Sequence, residues 1–338
     1  MDIWTKCLES EHRAFGPGPG EVVVARPVEE GRRIDATTEA AIRSLADRHL
    51  LAEGVILFRG FTMPDEQPLR RFAAIFGETL LDYRFGSTPR TDLGEGIYTS
   101  TEYPAHQVIP LHNEQSYTRT WPRRIWFHCV EPAIEGGETP IADSRIVYHR
   151  LSAALRDRWA SRQLLYVRNY GNGLDLPWEK VFGTTDKAQV EGYCRGQGIR
   201  CEWKSDGGLR TTQLCQAVAR HPETRDMLWF NQAHLFHVSA LDPVVQEALL
   251  DIAGDERNLP RNVFYGDGSP IDSDALAEIR SVLAEAEIRF AWQRDDILML
   301  DNMLIMHGRT AFKGPRKVVV AMAGTCSETV TGAQAALV

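Results

Sequence analysis

The stretch Leu111-His112-Asn113-Glu114-Gln115-Ser116 sets an imidazole and a carboxylate two residues apart. In an extended backbone residues i and i+2 share a face, so both side chains can reach one ion. A third ligand must come from elsewhere. His307, in Asp301-Asn302-Met303-Leu304-Ile305-Met306-His307-Gly308-Arg309, sits at the polar end of an apolar stretch and is the best candidate. Two histidines and one carboxylate leave three positions open on an octahedral ion, the arrangement used by non-haem iron(II) oxygenases. The His-x-Glu spacing alone is weak, because ten histidines and 46 acidic residues produce such pairs by chance.

The neighbours strengthen it. Gly136-Gly137-Glu138-Thr139 follows in the chain, and Arg316 lies nine residues beyond His307 (316 − 307). If 2-oxoglutarate chelates the ion through one carboxylate and its keto oxygen, its far carboxylate ends in an apolar pocket. An unpaired anion there costs several kcal/mol. Arg316 offers a bidentate fork and Thr139 a hydroxyl donor. Arg309, two residues after His307, shares its face on an extended strand and is a candidate to orient the same co-substrate, with a surface ion pair as the alternative.

Elements that could hold these groups are legible as apolar runs. Residues 54–60 form a glycine-bounded run that predicts a buried strand, and residues 124–130, 228–230, 288–292, 297–300 and 317–322 are also strand-like. Helical periodicity covers residues 38–51, 144–158, 243–253 and 273–287. Helices do not alternate with strands, which disfavours a doubly wound sheet. The expected fold is mainly β with helices (α+β): a double-stranded β-helix, jelly-roll or cupin-like, with helical insertions. One domain over residues 1–338 is expected, with a helix-rich insertion around 144–287.

Composition narrows the partners. A net charge of −8, without a basic stripe, argues against nucleic acid. No apolar run is long enough to span a bilayer and the first residues carry charge throughout, which predicts no membrane association and a cytoplasmic location. The six cysteines form no Cys-x-x-Cys pair and are expected to be reduced thiols. His234 and His237 tempt a second metal assignment, but without a neighbouring acid their spacing suits ordinary hydrogen bonding.

The chain resembles the taurine dioxygenase/clavaminate synthase-like superfamily of Fe(II)/2-oxoglutarate-dependent dioxygenases. The resemblance lies in residues 54–61, Tyr98-Thr99-Ser100-Thr101-Glu102-Tyr103, residues 112–114 and 136–143, Trp229-Phe230-Asn231-Gln232, residues 262–268 and residues 307–322, nearly the whole chain. Within that superfamily it is similar to the branch of the syringomycin-pathway hydroxylase, which acts on amino-acid-derived substrates. The resemblance implies a jelly-roll with Fe(II) on His112, Glu114 and His307, and the far carboxylate of 2-oxoglutarate on Arg316 and Thr139. It also implies O2 as oxidant and release of succinate and CO2. Many members carry Asp where this chain has Glu114, and halogenating relatives carry a small residue there, so Glu114 argues against halogenation.

The function this implies is hydroxylation of an unactivated C–H bond in a small amino-acid-like substrate, free or tethered to a carrier protein, in natural-product biosynthesis. Desaturation or oxidative cyclisation would use the same site. A binding protein without turnover is disfavoured by the complete residue set. A zinc hydrolase on a cupin-like barrel leaves Arg316 and Thr139 unexplained. Arg84, Tyr98, Ser100, Thr101, Trp229, Phe230 and Asn231 lie in family-like segments expected to line the substrate cavity. The oligomeric state is left open.

Overall fold

The computed structural model describes residues 7–15, 18–63, 67–82, 88–171 and 173–327. Seven strands form the larger sheet in the order Leu8–Arg13, Val22–Pro27, Val55–Phe58, Ile297–Asp301, Thr120–Glu131, Lys317–Ser327 and Ile97–Thr99. All neighbours are antiparallel except Val22–Pro27 with Val55–Phe58, which are joined by the crossover helix Ala36–Glu53. A parallel pair requires such a long connection.

Period-2 alternation divides the apolar residues of this sheet between two cores. Ile56, Phe58, Trp126, Met299 and Val319 pack on one face beneath helices Ala36–Glu53 and Pro68–Ala74. Leu57, Ile125, Phe127, Leu298 and Val320 belong to the opposite face, in a core shared with Ile141 and Ile305. Those two residues come from a smaller sheet ordered Ile109–His112, Ile305–Arg309, Ile141–Asp143. The chain therefore has the expected double-stranded β-helix core.

The segment expected to be helix-rich also carries a sheet of its own. Among the described residues between 144 and 287, seven α-helices accompany a four-stranded antiparallel sheet ordered Arg200–Trp203, Leu209–Cys215, Leu164–Tyr170 and Arg261–Tyr265. Trp159, Trp229 and Tyr265 lie within its core, with the Trp159 ring 5.1 Å from Trp229 and 5.9 Å from Tyr265. The single helix expected over 144–158 is two, Ser144–Arg150 and Ala153–Arg162. Ser152 separates them: its hydroxyl caps the second helix at Leu155 N–H, and its own N–H donates to Glu278. Residues 288–292 do not form the expected strand. Only Ile288 bridges, to Ile141, while Phe290 and Trp292 fill the core between the sheets.

All six cysteines are free thiols. Among the described residues no helix is long and apolar enough to cross a membrane.

His234 links the segment 144–287 to the smaller sheet. It lies on the short helix Ala233–Phe236 and donates its Nε2–H to Leu111 O at 2.8 Å, next to His112. Burial drives its pKa down to about 4. An unfolded histidine titrates near 6.5 and so binds a proton in the window where the folded one does not. Stability from this group is therefore present above about pH 6.5 and is lost as pH falls toward 4, by up to about 3 kcal/mol. His234→Gln, which keeps a donor for Leu111 O, should flatten the pH dependence of urea unfolding over that window. An unchanged slope would show that His234 is not buried as a neutral imidazole.

Candidate metal centre

His112 ends the strand Ile109–His112, and the chain then turns rather than continuing extended. Glu114 consequently reaches His112 through a clamped turn, not through strand alternation. Asn302, fully buried between Asp301 and the strand that carries His307, is the clamp. Its Oδ1 accepts Glu114 N–H at 2.7 Å, and its Nδ2 donates to Glu114 O at 3.0 Å and Pro122 O at 2.7 Å. Asn113 reinforces the turn by donating to Asn302 O at 2.6 Å. His307 arrives from the neighbouring strand, in direct register with His112.

One ligand atom from each of His112, Glu114 and His307 lies within 4.8 Å of the others. His112 Nδ1 donates to Pro110 O at 2.9 Å, which leaves Nε2 for an ion. Burial, then the neighbouring His307, pushes the His112 pKa down to about 3, so the ring is neutral and able to ligate at neutral pH. Burial works against ionisation of Glu114, but Arg90 above all, together with the two histidines, holds its carboxyl well below the usual range. Arg90 NH2 donates to Glu114 Oε2 at 2.6 Å, with both side chains at most 5% exposed. Among the described residues, His12, His49 and Glu53 form a second group of possible ligands, but His12 is exposed, His49 and Glu53 are only half-buried, and His12 already bonds Glu53.

A cavity beside the three ligands is lined by Arg90, Ser100, Thr101, Thr139, Arg309 and Arg316, among others. Arg316 donates through Nε to Gly137 O at 2.8 Å and through NH1 to Ser100 Oγ at 3.3 Å. Among the described residues no carboxylate pairs with it. Burial, with Arg309 nearby, lowers its pKa to about 10, still charged at neutral pH. A buried cation fixed by neutral acceptors is a receptor for an anion. Gly137, at φ +74°, leaves room for it: a Cβ there would lie 2.9 Å from Arg316 Cδ. Thr139 is buried and its Oγ1 accepts from Trp292 Nε1 at 3.1 Å.

The structure uses some expected residues differently. Arg309 does not aim its guanidinium as His307 aims its ring, because the pairing register shifts between the two residues. Its NH groups donate to four backbone carbonyls, of Thr101, Tyr103, Pro104 and Gln107, at 2.8 to 3.1 Å. These bonds tie down the 101–107 loop, while Arg309 also lines the cavity and its Nε is buried without a hydrogen-bond partner. Trp229 and Phe230 are fully buried in two different apolar cores, and Asn231 is spent on Ala217 O and Ala233 N–H. Tyr98 packs between the sheets. Of the expected substrate-lining residues only Ser100 and Thr101 face the cavity, and Arg84 lies outside the described residues. His234 and His237 are hydrogen-bonded, to Leu111 O and Ser239. Sequence reasoning missed Arg90 and Asn302.

A family model described as taurine catabolism dioxygenase TauD, TfdA family matches residues 21–322. The chain belongs to this family. The dapdiamide synthesis protein DdaC of Enterobacter agglomerans is 40% identical over 292 residues, covering 85% of this chain and 88% of that protein. A clavaminate synthase-like protein of Arabidopsis thaliana is 32% identical, covering 82% of this chain and 83% of that one. Among solved structures, PvcB of Pseudomonas aeruginosa superposes with TM-score 0.53 at 18% identity, covering 94% of this chain and 91% of that one. A taurine dioxygenase from Burkholderia xenovorans gives TM-score 0.50 at 17% identity, covering 97% and 98%.

This member of the TauD, TfdA family is thus an Fe(II)- and 2-oxoglutarate-dependent dioxygenase that acts on a small molecule. Its residues fit that cofactor set. The three ligand atoms converge, and His307 Nδ1 is buried without a hydrogen-bond partner in the protein, so the ring is placed by packing against Phe127, 5.0 Å away, and by its strand. Asn302→Ala would strip buried partners from Glu114 N–H, Glu114 O and Pro122 O, at a cost of about 2–4 kcal/mol. Urea unfolding should register that loss, and equilibrium dialysis should register weaker Fe(II) retention. Retention at the wild-type level would show that the turn holds Glu114 without the clamp.

Proposed function

We propose that this dioxygenase hydroxylates an unactivated C–H bond of a small amino-acid-derived substrate in a natural-product pathway, with iron held by His112, Glu114 and His307. The observation that carries the proposal is the convergence of these three ligand atoms, two of them on buried residues, beside a cavity that Arg316 lines. Bound there, iron with 2-oxoglutarate and O2 supplies the oxidising power for the C–H bond as the co-substrate is split to succinate and CO2. Arg316 anchors the far carboxylate of 2-oxoglutarate, with Thr139 and Ser100 beside it. The ion-facing faces of His112 and Glu114 are prepared before loading, one neutral and one ionised. Phe127, against the His307 ring, excludes water from that side of the ligand set.

The names of two relatives support the substrate class. One is the dapdiamide synthesis protein, and another, 24% identical and covering 89% of this chain, is a tyrosine isonitrile desaturase of Pseudomonas aeruginosa. The second name makes desaturation the competing outcome. Incubation of the iron-loaded enzyme with 2-oxoglutarate, O2 and a panel of amino acids and amino-acid derivatives, free and carrier-bound, should give a product that gains one oxygen by mass spectrometry. Loss of two hydrogens instead would select desaturation, and no succinate with any compound would overturn the substrate class. Arg316→Ala should raise the 2-oxoglutarate concentration needed by about tenfold or more, with iron content unchanged. An unchanged requirement would place the anchor elsewhere.

A further inference from the structure

A cavity of about 440 Å³ lies on the opposite face of two strands that wall the metal-side cavity. Helix Pro68–Ala74 contributes Pro68, Leu69 and Arg70 to it, and strands Thr120–Glu131 and Lys317–Ser327 form its floor. Period-2 alternation along those strands keeps the two cavities apart. Phe127 and Val318 line the cavity beside the three ligands, whereas His128, Val130, Lys317 and Val319 line this one. His128 and Val319 are cross-strand partners in register. No residue lines both cavities, so a molecule bound here would leave the metal ligands and Arg316 untouched.

The lining selects a chemistry. Met63, Leu69, Leu93 and Val319 supply an apolar wall, with Leu93 left 47% exposed. Three cations share the lining, Arg70, Arg294 and Lys317, and Arg70 is already paired with Glu95. Arg294 gives NH1 to Val130 O at 2.8 Å, and among the described residues no carboxylate pairs with Arg294 or Lys317. Asp295 is the one carboxylate among the described lining residues. Its φ of +68° and the bond from its N–H to Cys129 O at 2.8 Å set it against His128, whose Nε2 donates to Asp295 Oδ1 at 3.4 Å. Small-molecule sites have roughly this volume, a mostly apolar wall and a few polar groups that fix orientation. An inorganic anion would leave the apolar wall in water, and a neutral molecule would gain nothing from the two cations. An anion with an apolar body uses both.

We propose that this cavity is a second binding site, for a small organic monocarboxylate with an apolar body of one or two rings. Arg294 and Lys317 take the carboxylate, and Met63, Leu69 and Val319 take the apolar body. The site is separate from the metal centre, and its occupant is neither 2-oxoglutarate nor the molecule that is oxidised.

Indole-3-acetate, which has the required charge and shape, is the probe, and indole-3-acetamide is its neutral counterpart. Equilibrium dialysis is run anaerobically on the full chain with Fe(II) and excess 2-oxoglutarate, so that the metal-side cavity is filled. Indole-3-acetate should bind, and the amide should bind about tenfold more weakly. The double variant Arg294→Glu, Lys317→Glu should weaken indole-3-acetate by about tenfold or more, with 2-oxoglutarate affinity unchanged. Should the double variant not fold, Lys317→Gln, a change at an exposed position, must still weaken it by about threefold. No binding of indole-3-acetate would overturn the proposal, and so would equal binding of the amide, which would mean that the cations select nothing. Unchanged affinity in the variants would overturn it as well, because the probe would then be held elsewhere. The comparison needs no turnover, so it judges this site whatever the metal centre oxidises.

Discussion

The buried carboxylate of Glu114 is the constraint on which the rest of the site depends. An ionised carboxyl out of water is costly unless cations and donors surround it. Here it is met by Arg90 at 2.6 Å and by two imidazoles within ligand distance of one another. Its backbone is fixed as well, since Asn302 satisfies both the N–H and the carbonyl of the same residue. The charge can persist because the turn that carries it has no freedom to move it to solvent.

That arrangement explains the placement of the larger elements. The seven-stranded sheet is covered by helices on one face and by the smaller sheet on the other, so the strands that carry His112 and His307 are held from behind by an apolar core. The segment 144–287 reaches the same strands through polar contacts: His234 binds Leu111 O, and Gln232 donates to Asn113 O at 2.7 Å. Apolar packing sets the distance between sheets, and buried amide and imidazole groups set the register of the ligand-bearing turn.

Much of this was legible in the chain because its physical cause is local. Continuous apolar runs in 124–130, 297–300 and 317–322 mark strands buried on both faces, and His112, Glu114 and His307 are the residue types that bind an ion. What stayed hidden depends on long-range placement. Arg90 lies 24 residues before Glu114 in a Thr-Pro-Arg-Thr stretch with no periodic relation to the ligands. Arg309 obeys the i, i+2 rule in sequence, yet a register shift after His307 redirects it to loop carbonyls. Trp229, Phe230 and Asn231 belong to a segment that matches the family, but the fold buries their side chains in separate cores or satisfies them locally.

All of this presupposes that His112, Glu114 and His307 bind iron in a form that 2-oxoglutarate can chelate. Anaerobic titration of the purified apoprotein with Fe(II) and then 2-oxoglutarate tests it most directly, through the visible charge-transfer absorption of a chelated 2-oxo acid. The expected result is a band that saturates at one equivalent of iron and is missing from His112→Ala. No band in the wild-type protein, or an undiminished band in His112→Ala, would contradict the assignment.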